Sequence, residues 1–349
     1  MMRASSVAVT HARGTAGRKS VRSAHEESVA VVIPLFNKAQ WIGRAVDSVL
    51  AQTWKNIDLV VVDDGSEDGS AEIVATKTDP RIRTIRQSNR GPGFARNVGW
   101  KVSRAPIVAF LDADDCWDLD FLEHGVSILL ENPSLAACTS CFREIRSPTR
   151  TVDTSKDWRS LGIRDGTVTI TSQTSVHELR TVLSFMFPQA TVVRRDVLER
   201  FHGFYEQDRC SYGEDSFLWL RMLLTSPVHT SLETKLTIDR TASGLSTLAT
   251  LGSRPIEPIL TSSGDVRSVC PPELRTLLDH FLAERAYKRS CTLAAVGRWQ
   301  RGAELRREFF VPGTLLSRYG VASLALTNPL GGGLARFVLS AWRLSGTAR

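Results

Sequence analysis

The sequence predicts an α/β protein: a Rossmann-like mixed sheet with helices on both faces, followed by a helical C-terminal extension. Three observations carry this. Short Val- and Ile-rich runs alternate with segments of 3.6-residue apolar period through the first half of the chain. Two of those runs end abruptly in carboxylates, at Asp63-Asp64 and at Asp112-Ala113-Asp114-Asp115, where an open sheet would present a ligand crevice. Beyond about residue 245 strand signals stop and helical patterns take over.

Residues 1–28 are polar, basic and non-periodic, and read as a disordered tail. Val29 to Ile33 is a buried strand that Pro34 stops, and Asn37 is placed to cap the helix whose stripe is Trp41, Ile42, Ala45, Val46, Val49 and Leu50. Ile57 to Val62 is the second strand, and Ser66 or Asp68 caps a short helix around Ala71 to Ala75. Arg83 to Arg86 is a third strand. The glycine-rich loop Asn89-Arg90-Gly91-Pro92-Gly93 leads into a helix near residues 94–103, and residues 107–111 form the fourth strand. The order β-α-β-α-β-α-β calls for parallel pairing.

The second half is less regular. A helix near 119–131 and a strand near 136–142 precede a Ser-, Thr-, Arg- and Asp-rich stretch, 147–176, that reads as a long excursion or an acceptor-side loop. A strand at Thr191 to Val193, a helix from Asp196 broken at Gly203, an amphipathic helix opened by Gly213-Glu214-Asp215 and a strand near 235–239 follow. Helices are expected at 273–300 and 303–309. The organisation is therefore a tail, 1–28, a catalytic-type α/β domain, 29–245, and a mainly helical extension, 246–349.

Charge and cysteine usage exclude some classes. The net charge of +7 is the sum of +3 in residues 1–28, −3 in 29–270 and +7 in 271–349. A nucleic-acid protein carries its basic excess on the working domain. Here it lies at the ends, which suits tails or docking on an anionic membrane surface. Six scattered cysteines make no disulfide framework, and the lone Cys138-Thr139-Ser140-Cys141 has no second pair to complete a zinc site. With no secretory h-region and no apolar run of spanning length, a cytoplasmic setting is expected, with peripheral contact to the inner face of a membrane allowed.

Four polar clusters stand out, each with a structural reading beside the functional one. Asp112, Asp114 and Asp115 are three anions within four residues. They are either a solvated turn before a helix or hard oxygen ligands for Mg²⁺ or Mn²⁺, ions that pair with a nucleotide diphosphate. Asp63 and Asp64 either cap a tight Gly turn or accept from a base or ribose. Arg96, behind Gly91 and Gly93, is a surface Arg after a loop, or it faces an anion beside a helix N-terminus where glycines allow close backbone approach. Glu214 and Asp215 either complement a helix dipole or supply a general base.

Taken together, these clusters resemble the inverting family 2 glycosyltransferases of GT-A fold. The resemblance rests on Val32-Ile33-Pro34-Leu35-Phe36-Asn37, Val62-Asp63-Asp64-Gly65-Ser66, Asn89-Arg90-Gly91 with Ala95-Arg96-Asn97-Val98-Gly99, and Phe110-Leu111-Asp112-Ala113-Asp114-Asp115. Gly203-Phe204 and Gly213-Glu214-Asp215 match the family's later acidic motif. The resemblance covers about residues 29–245 and implies a nucleotide-sugar donor, UDP-linked in most relatives, a divalent metal and a glycan, lipid-linked or small acceptor. Pro34, Phe36 and Asn37 would line the nucleoside pocket, and Asp63 or Asp64 would hold the base. Arg96 would lie by the ribose or diphosphate, with Ala113 at the nucleotide. Asp112 and Asp114 would form the metal-binding pair, Asp114 the more direct ligand, with Asp115 by the sugar. Asp215 would be the base, with Glu214 beside it as the alternative.

One departure is the absence of a His in Ile238-Asp239-Arg240-Thr241-Ala242-Ser243-Gly244-Leu245-Ser246, where many relatives place one by the metal or diphosphate. Arg240 is the stand-in. Three rivals are weighed: a polysaccharide synthase, which would carry membrane spans; a phosphoacceptor signalling domain, which has no use for Asp112 to Asp115; and a non-catalytic nucleotide-sugar binder. The C-terminal helices are expected to pack on the catalytic domain or to form a homo-oligomer contact.

Overall fold

The computed structural model describes residues 27–242, 254–314 and 318–328. Its centre is a ten-stranded mixed sheet with a main path of β3-β2-β1-β4-β9-β6-β10-β5. In chain order the strands are β1 (Val29–Leu35), β2 (Ile57–Asp63), β3 (Ile82–Arg86), β4 (Ile107–Phe110), β5 (Cys116–Trp117), β6 (Ala137–Ser147), β7 (Arg150–Asp153), β8 (Gly166–Val168), β9 (Thr191–Arg194) and β10 (Val228–Asp239). The first four pair in parallel, as the alternating β and α segments require. β9 runs antiparallel between β4 and β6, and β10 is parallel to β6. Two reversals restore the direction, so β1, β2, β4 and β10 all deliver their carboxyl ends to one edge.

Alternation along β1 builds two cores. Ala30 and Val32 face one cluster with Val60, Val62 and Phe110. Val29, Val31, Ile33 and Leu35 face the other with Leu59 and Val61. The helix α1 (Ala39–Leu50) covers the second face with Ile42, Ala45, Val46 and Val49, the period-3.6 stripe. Pro34 lies inside β1, paired with Val62, and does not end the strand. Asn37 does not cap α1: its φ is 50°, its side-chain oxygen accepts from Glu67 N, and Lys38 is the N-cap. Instead Asp68 accepts from Ala39 N and Ser70 from Lys38 N, so a neighbouring turn satisfies the helix start.

The short helix α2 (Ser70–Ala75) follows that turn, and α3 (Pro92–Val102) lies on the first face through Ala95 and Trp100. The approach of α3 to β1 is set by Gly99, where an added Cβ would sit 2.2 Å from Val32 Cγ1. Gly99→Ala is therefore expected to destabilise the fold by about 1–3 kcal/mol, read as a lower urea midpoint at unchanged slope. An unchanged midpoint would mean that the helix and strand separate freely.

Past β5 come α4 (Phe121–Glu131), α5 (Ser155–Ser160), α6 (Val176–Phe185), α7 (Arg195–Phe201) and α8 (Glu214–Leu223). The stretch 147–176 is not a structureless excursion, since it holds β7, α5 and β8. Its polar composition hides these elements because β7 and β8 are edge pairs with little apolar content.

All described elements after β10 are helical: α9 (Pro258–Thr261), α10 (Ser263–Val269), α11 (Arg275–Ala295), α12 (Trp299–Glu308) and α13 (Arg318–Leu326), with one short 3₁₀ turn at Pro272–Leu274. They share the first core, where Leu278, Phe281 and Leu282 of α11 join Leu218 and Met222 of α8. An ion pair between Arg180 and Glu284, 3.2 Å, also ties the extension to α6. The extension is packed onto the α/β unit, as expected for helices with apolar stripes. No helix among the described residues is long and apolar enough to cross a membrane.

Candidate active site

At the shared carboxyl edge of the sheet lies a cleft of about 780 Å³. Asp64 from the end of β2, Asp112 to Asp115 from the end of β4, and Glu214 and Asp215 from the start of α8 all line it. Pro34, Phe36, Ala113 and Arg96 are in its wall as well. Segments separated by up to about 180 residues thus meet, the strand ends because parallel pairing points them the same way.

Each carboxylate of the first pair has one cationic partner. Lys38 Nζ donates to Asp114 Oδ2 at 2.6 Å and to the Ala242 carbonyl at 2.8 Å. Arg96 Nη2 donates to Asp112 Oδ1 at 2.7 Å. Asp115 is buried and accepts from Asp239 N, which joins the end of β10 to the end of β4. Burial, then repulsion from Asp112, pushes the Asp114 carboxyl up; for Asp115 burial leads, with both neighbouring carboxylates adding. Asp239 is held below the usual range: burial opposes this, but hydrogen bonds from Thr241 and Arg44 win.

Arg96 is the hub. It is 4% exposed, and its other outer nitrogen donates to Glu214 Oε1 at 2.9 Å, while its guanidinium lies 5.2 Å from the Phe204 ring centre. Burial opposes its charge, yet Asp112 and Glu214 hold it firmly protonated. Glu214 is pushed up to about 7, first by burial and then by Asp215, against the pull of Arg96. Asp215 is also raised, again chiefly by burial, and accepts from Ser216 N at 2.7 Å.

A carboxyl raised in the folded state binds its proton more tightly there than in the unfolded chain. Its stabilising effect is complete below the ordinary value of 4.5 and is lost as pH rises towards about 7. Conformational stability is expected to fall across that window in the native chain. Glu214→Gln should flatten the slope in denaturation titrations run from pH 4.5 to 7.5; an equally steep slope would place the proton elsewhere.

Several expected site residues are turned away. Asp63 is fully buried, does not line the cleft, and accepts from Ser66 N at 2.8 Å. Its neighbour Asp64 does line the cleft, but accepts from Arg90 N, Gly91 N and Gln87 Nε2, each at 2.8 Å. It therefore pins the glycine-rich loop. Asn37 is exposed and lies outside the cleft wall. Gly93 faces protein, since a Cβ there would lie 2.4 Å from the Tyr205 carbonyl oxygen and 3.1 Å from Glu214 Cγ. Gly91, with φ of 91°, lines the cleft at the turn that Asp64 holds.

Sequence reading passed over Lys38, Gln189, Asp239, Tyr212, Glu257 and Arg285, all in the cleft wall. Lys38 directly follows the Pro34-to-Asn37 motif and was within reach of that signal. Glu257 and Arg285 come from the extension, where nothing local marks them. Arg240 lines the cleft, is paired to Glu144 at 2.6 Å and lies over the Phe187 ring. Ser243 to Ser246 lie outside the described residues.

Asp112 and Asp114 fit a divalent cation in a particular way. Each keeps one carboxylate oxygen without a protein donor among the described residues, and no cluster of three or more His, Cys, Asp or Glu among them makes a complete metal cage. Two carboxylate oxygens completed by phosphate oxygens are what Mg²⁺ or Mn²⁺ accept beside a nucleotide.

A mixed sheet with its acidic strand ends gathered in one cleft, backed by helices, is the GT-A glycosyltransferase architecture. S. aureus TarS 1–349 bound to UDP-GlcNAc shares it, with a TM-score of 0.67 over 92% of this chain and 93% of that one at 18% identity. So does the mannosyltransferase PcManGT from Pyrobaculum calidifontis in complex with GDP-Man and Mn²⁺, with a TM-score of 0.54, 85% of each chain covered and 20% identity. In sequence, residues 30–201 match Glycosyl transferase family 2.

Residues 30–201 carry that family's domain. An uncharacterised glycosyltransferase of Rickettsia felis is 39% identical over 33% of this chain, and Escherichia coli YibD, also an uncharacterised glycosyltransferase, is 33% identical over 40%. Those matches span 19% and 41% of the relatives' own lengths.

Proposed function

We propose that this protein is an inverting glycosyltransferase that moves a sugar from a UDP-linked donor to an acceptor hydroxyl by a single displacement. The observation that carries the reading is the one cleft lined by Asp64, Asp112, Asp114, Arg96, Glu214 and Asp215.

The nucleoside lies between Pro34, Phe36 and the turn held by Asp64. Asp112 and Asp114 would hold a divalent cation, which would offset the charge growing on the leaving diphosphate. Lys38 and Arg240 add fixed positive charge on the same side. Arg96 donates from one outer nitrogen to Asp112 and from the other to Glu214, so it positions the two carboxylates. Asp215 takes the proton of the acceptor hydroxyl as that oxygen attacks the anomeric carbon from the face opposite the diphosphate. With Glu214 tied to Arg96, Asp215 is the better placed of the two to accept a proton.

The deciding experiment is a panel of UDP- and GDP-sugars assayed with Mn²⁺, by thermal shift and by nucleoside diphosphate release. One UDP-sugar is expected to raise the melting temperature and to turn over, with turnover abolished by EDTA and restored by Mn²⁺. A panel in which no nucleotide sugar stabilises or reacts would overturn the reading.

A further inference from the structure

A second cavity, about 290 Å³, opens between α5, α6 and the helices α11 and α13 of the extension. It belongs to none of the motifs described above. Its wall carries three permanent cations, Arg180, Arg285 and Lys288, against one carboxylate, Glu284. It also carries Trp158, Phe281 and Tyr319, and the half-exposed Leu161. Arg180 is shared between Glu284 and His177. Lys288 is exposed, has no carboxylate partner among the described residues, and lies 6.0 Å from the Tyr319 ring centre.

Two features join this cavity to the main cleft. Arg285 lines both, its guanidinium held by Glu257 at 2.6 Å and 3.1 Å. A ladder of edge-to-face rings also runs between them: Trp158 to Phe142 at 6.2 Å, then Phe142 to Phe187 at 5.1 Å, with Phe187 in the main cleft.

We propose that this cavity binds an anionic carbohydrate, the part of the acceptor that trails behind its reacting hydroxyl. Aromatic faces beside the ammonium of Lys288, which has no carboxylate partner among the described residues, and beside two guanidinium groups with N–H groups to spare suit a ligand with apolar ring faces and attached oxyanions. A neutral glycan leaves the charge of Lys288 uncompensated. A flat anionic membrane does not enter a concavity walled by helices on both sides. The volume lies near the lower limit for small-ligand sites and takes a short chain segment, the remainder extending along the surface. The assignment of this ligand as acceptor rests on the transferase reading above; the binding itself does not.

The test is isothermal titration of the full chain with tetragalacturonate and with maltotetraose, alongside UDP with Mn²⁺. Tetragalacturonate is expected to bind about tenfold or more tighter than its neutral counterpart. Lys288→Ala and Arg180→Gln should each weaken it about 3- to 10-fold while UDP binding stays unchanged. Lys288 is exposed, so its truncation leaves the fold intact, which circular dichroism checks. Equal affinity for the two tetrasaccharides, or an unaltered Lys288→Ala variant, overturns the proposal. So does capture by phosphatidylglycerol vesicles that depends on Lys288 when tetragalacturonate does not bind. Failure of the transferase reading shows separately, as absent UDP binding.

Discussion

Asp215→Asn is expected to retain donor binding and to lose turnover by about 10² to 10⁴, the usual contribution of a positioned general base. The amide keeps the shape of the side chain and its bond from Ser216 N, so the start of α8 should not move. What it removes is the ability to take a proton. Burial, with Asp112 adding, raises the carboxyl above its ordinary value against the pull of Arg96, which favours proton uptake. The measurement pairs UDP-sugar affinity by calorimetry with the rate of product formation. Turnover within a few-fold of the native chain would remove Asp215 from the mechanism, and Glu214→Gln would become the next variant to assay. A chain that binds nucleotide sugars but transfers none, with or without the substitution, would be a binder.

The second large effect is expected at Arg96. Arg96→Met leaves Asp112 and Glu214 without their shared cationic partner, with Glu214 9% exposed in its side chain and Arg96 itself 5%. Breaking a buried pair by removing one partner costs about 3–5 kcal/mol, because the remaining charge is desolvated and unpaired. Glu214, the more buried of the two carboxylates that lose their partner, can escape only by protonation, whereas Asp112 keeps some access to water. The loss should therefore be smaller at pH 5 than at pH 8 in urea titrations. Activity should fall with it, since Asp112 and Glu214 lose their common tether. A variant within about 1 kcal/mol of native stability at pH 8 would show that Arg96 is not the hub the geometry describes. Arg96→Lys is the informative partner, because an ammonium cannot span both carboxylates as a planar guanidinium does.

Much of the fold was legible because its cues are local. The Val- and Ile-rich runs and the stripe Ile42, Ala45, Val46, Val49 state their own burial, and β1, β2, β4 and α1 lie within a few residues of where periodicity puts them. Pro34 misled because a prolyl residue is tolerated where its missing N–H costs no ladder bond. Asn37 misled because a capping residue looks the same in sequence whether it caps its own helix or props a neighbouring turn. The edge strands and α5 within 147–176 carry too few apolar residues to announce themselves.

The sequence by itself determined which chemistry is available: acidic strand ends, a glycine-rich turn with its Arg, and an acidic helix start, in an order that marks a family 2 glycosyltransferase. Only the tertiary structure decided which of those groups meet and what each is already bound to. It turned Asp63 inward and Asp64 to the cleft, tied Arg96 to two carboxylates, and brought Glu257 and Arg285 from the extension into the wall. The reason is that strand direction and amphipathic period are written over a few residues. The partner of a buried charge is fixed by parallel pairing and helix packing, which join residues far apart in the chain.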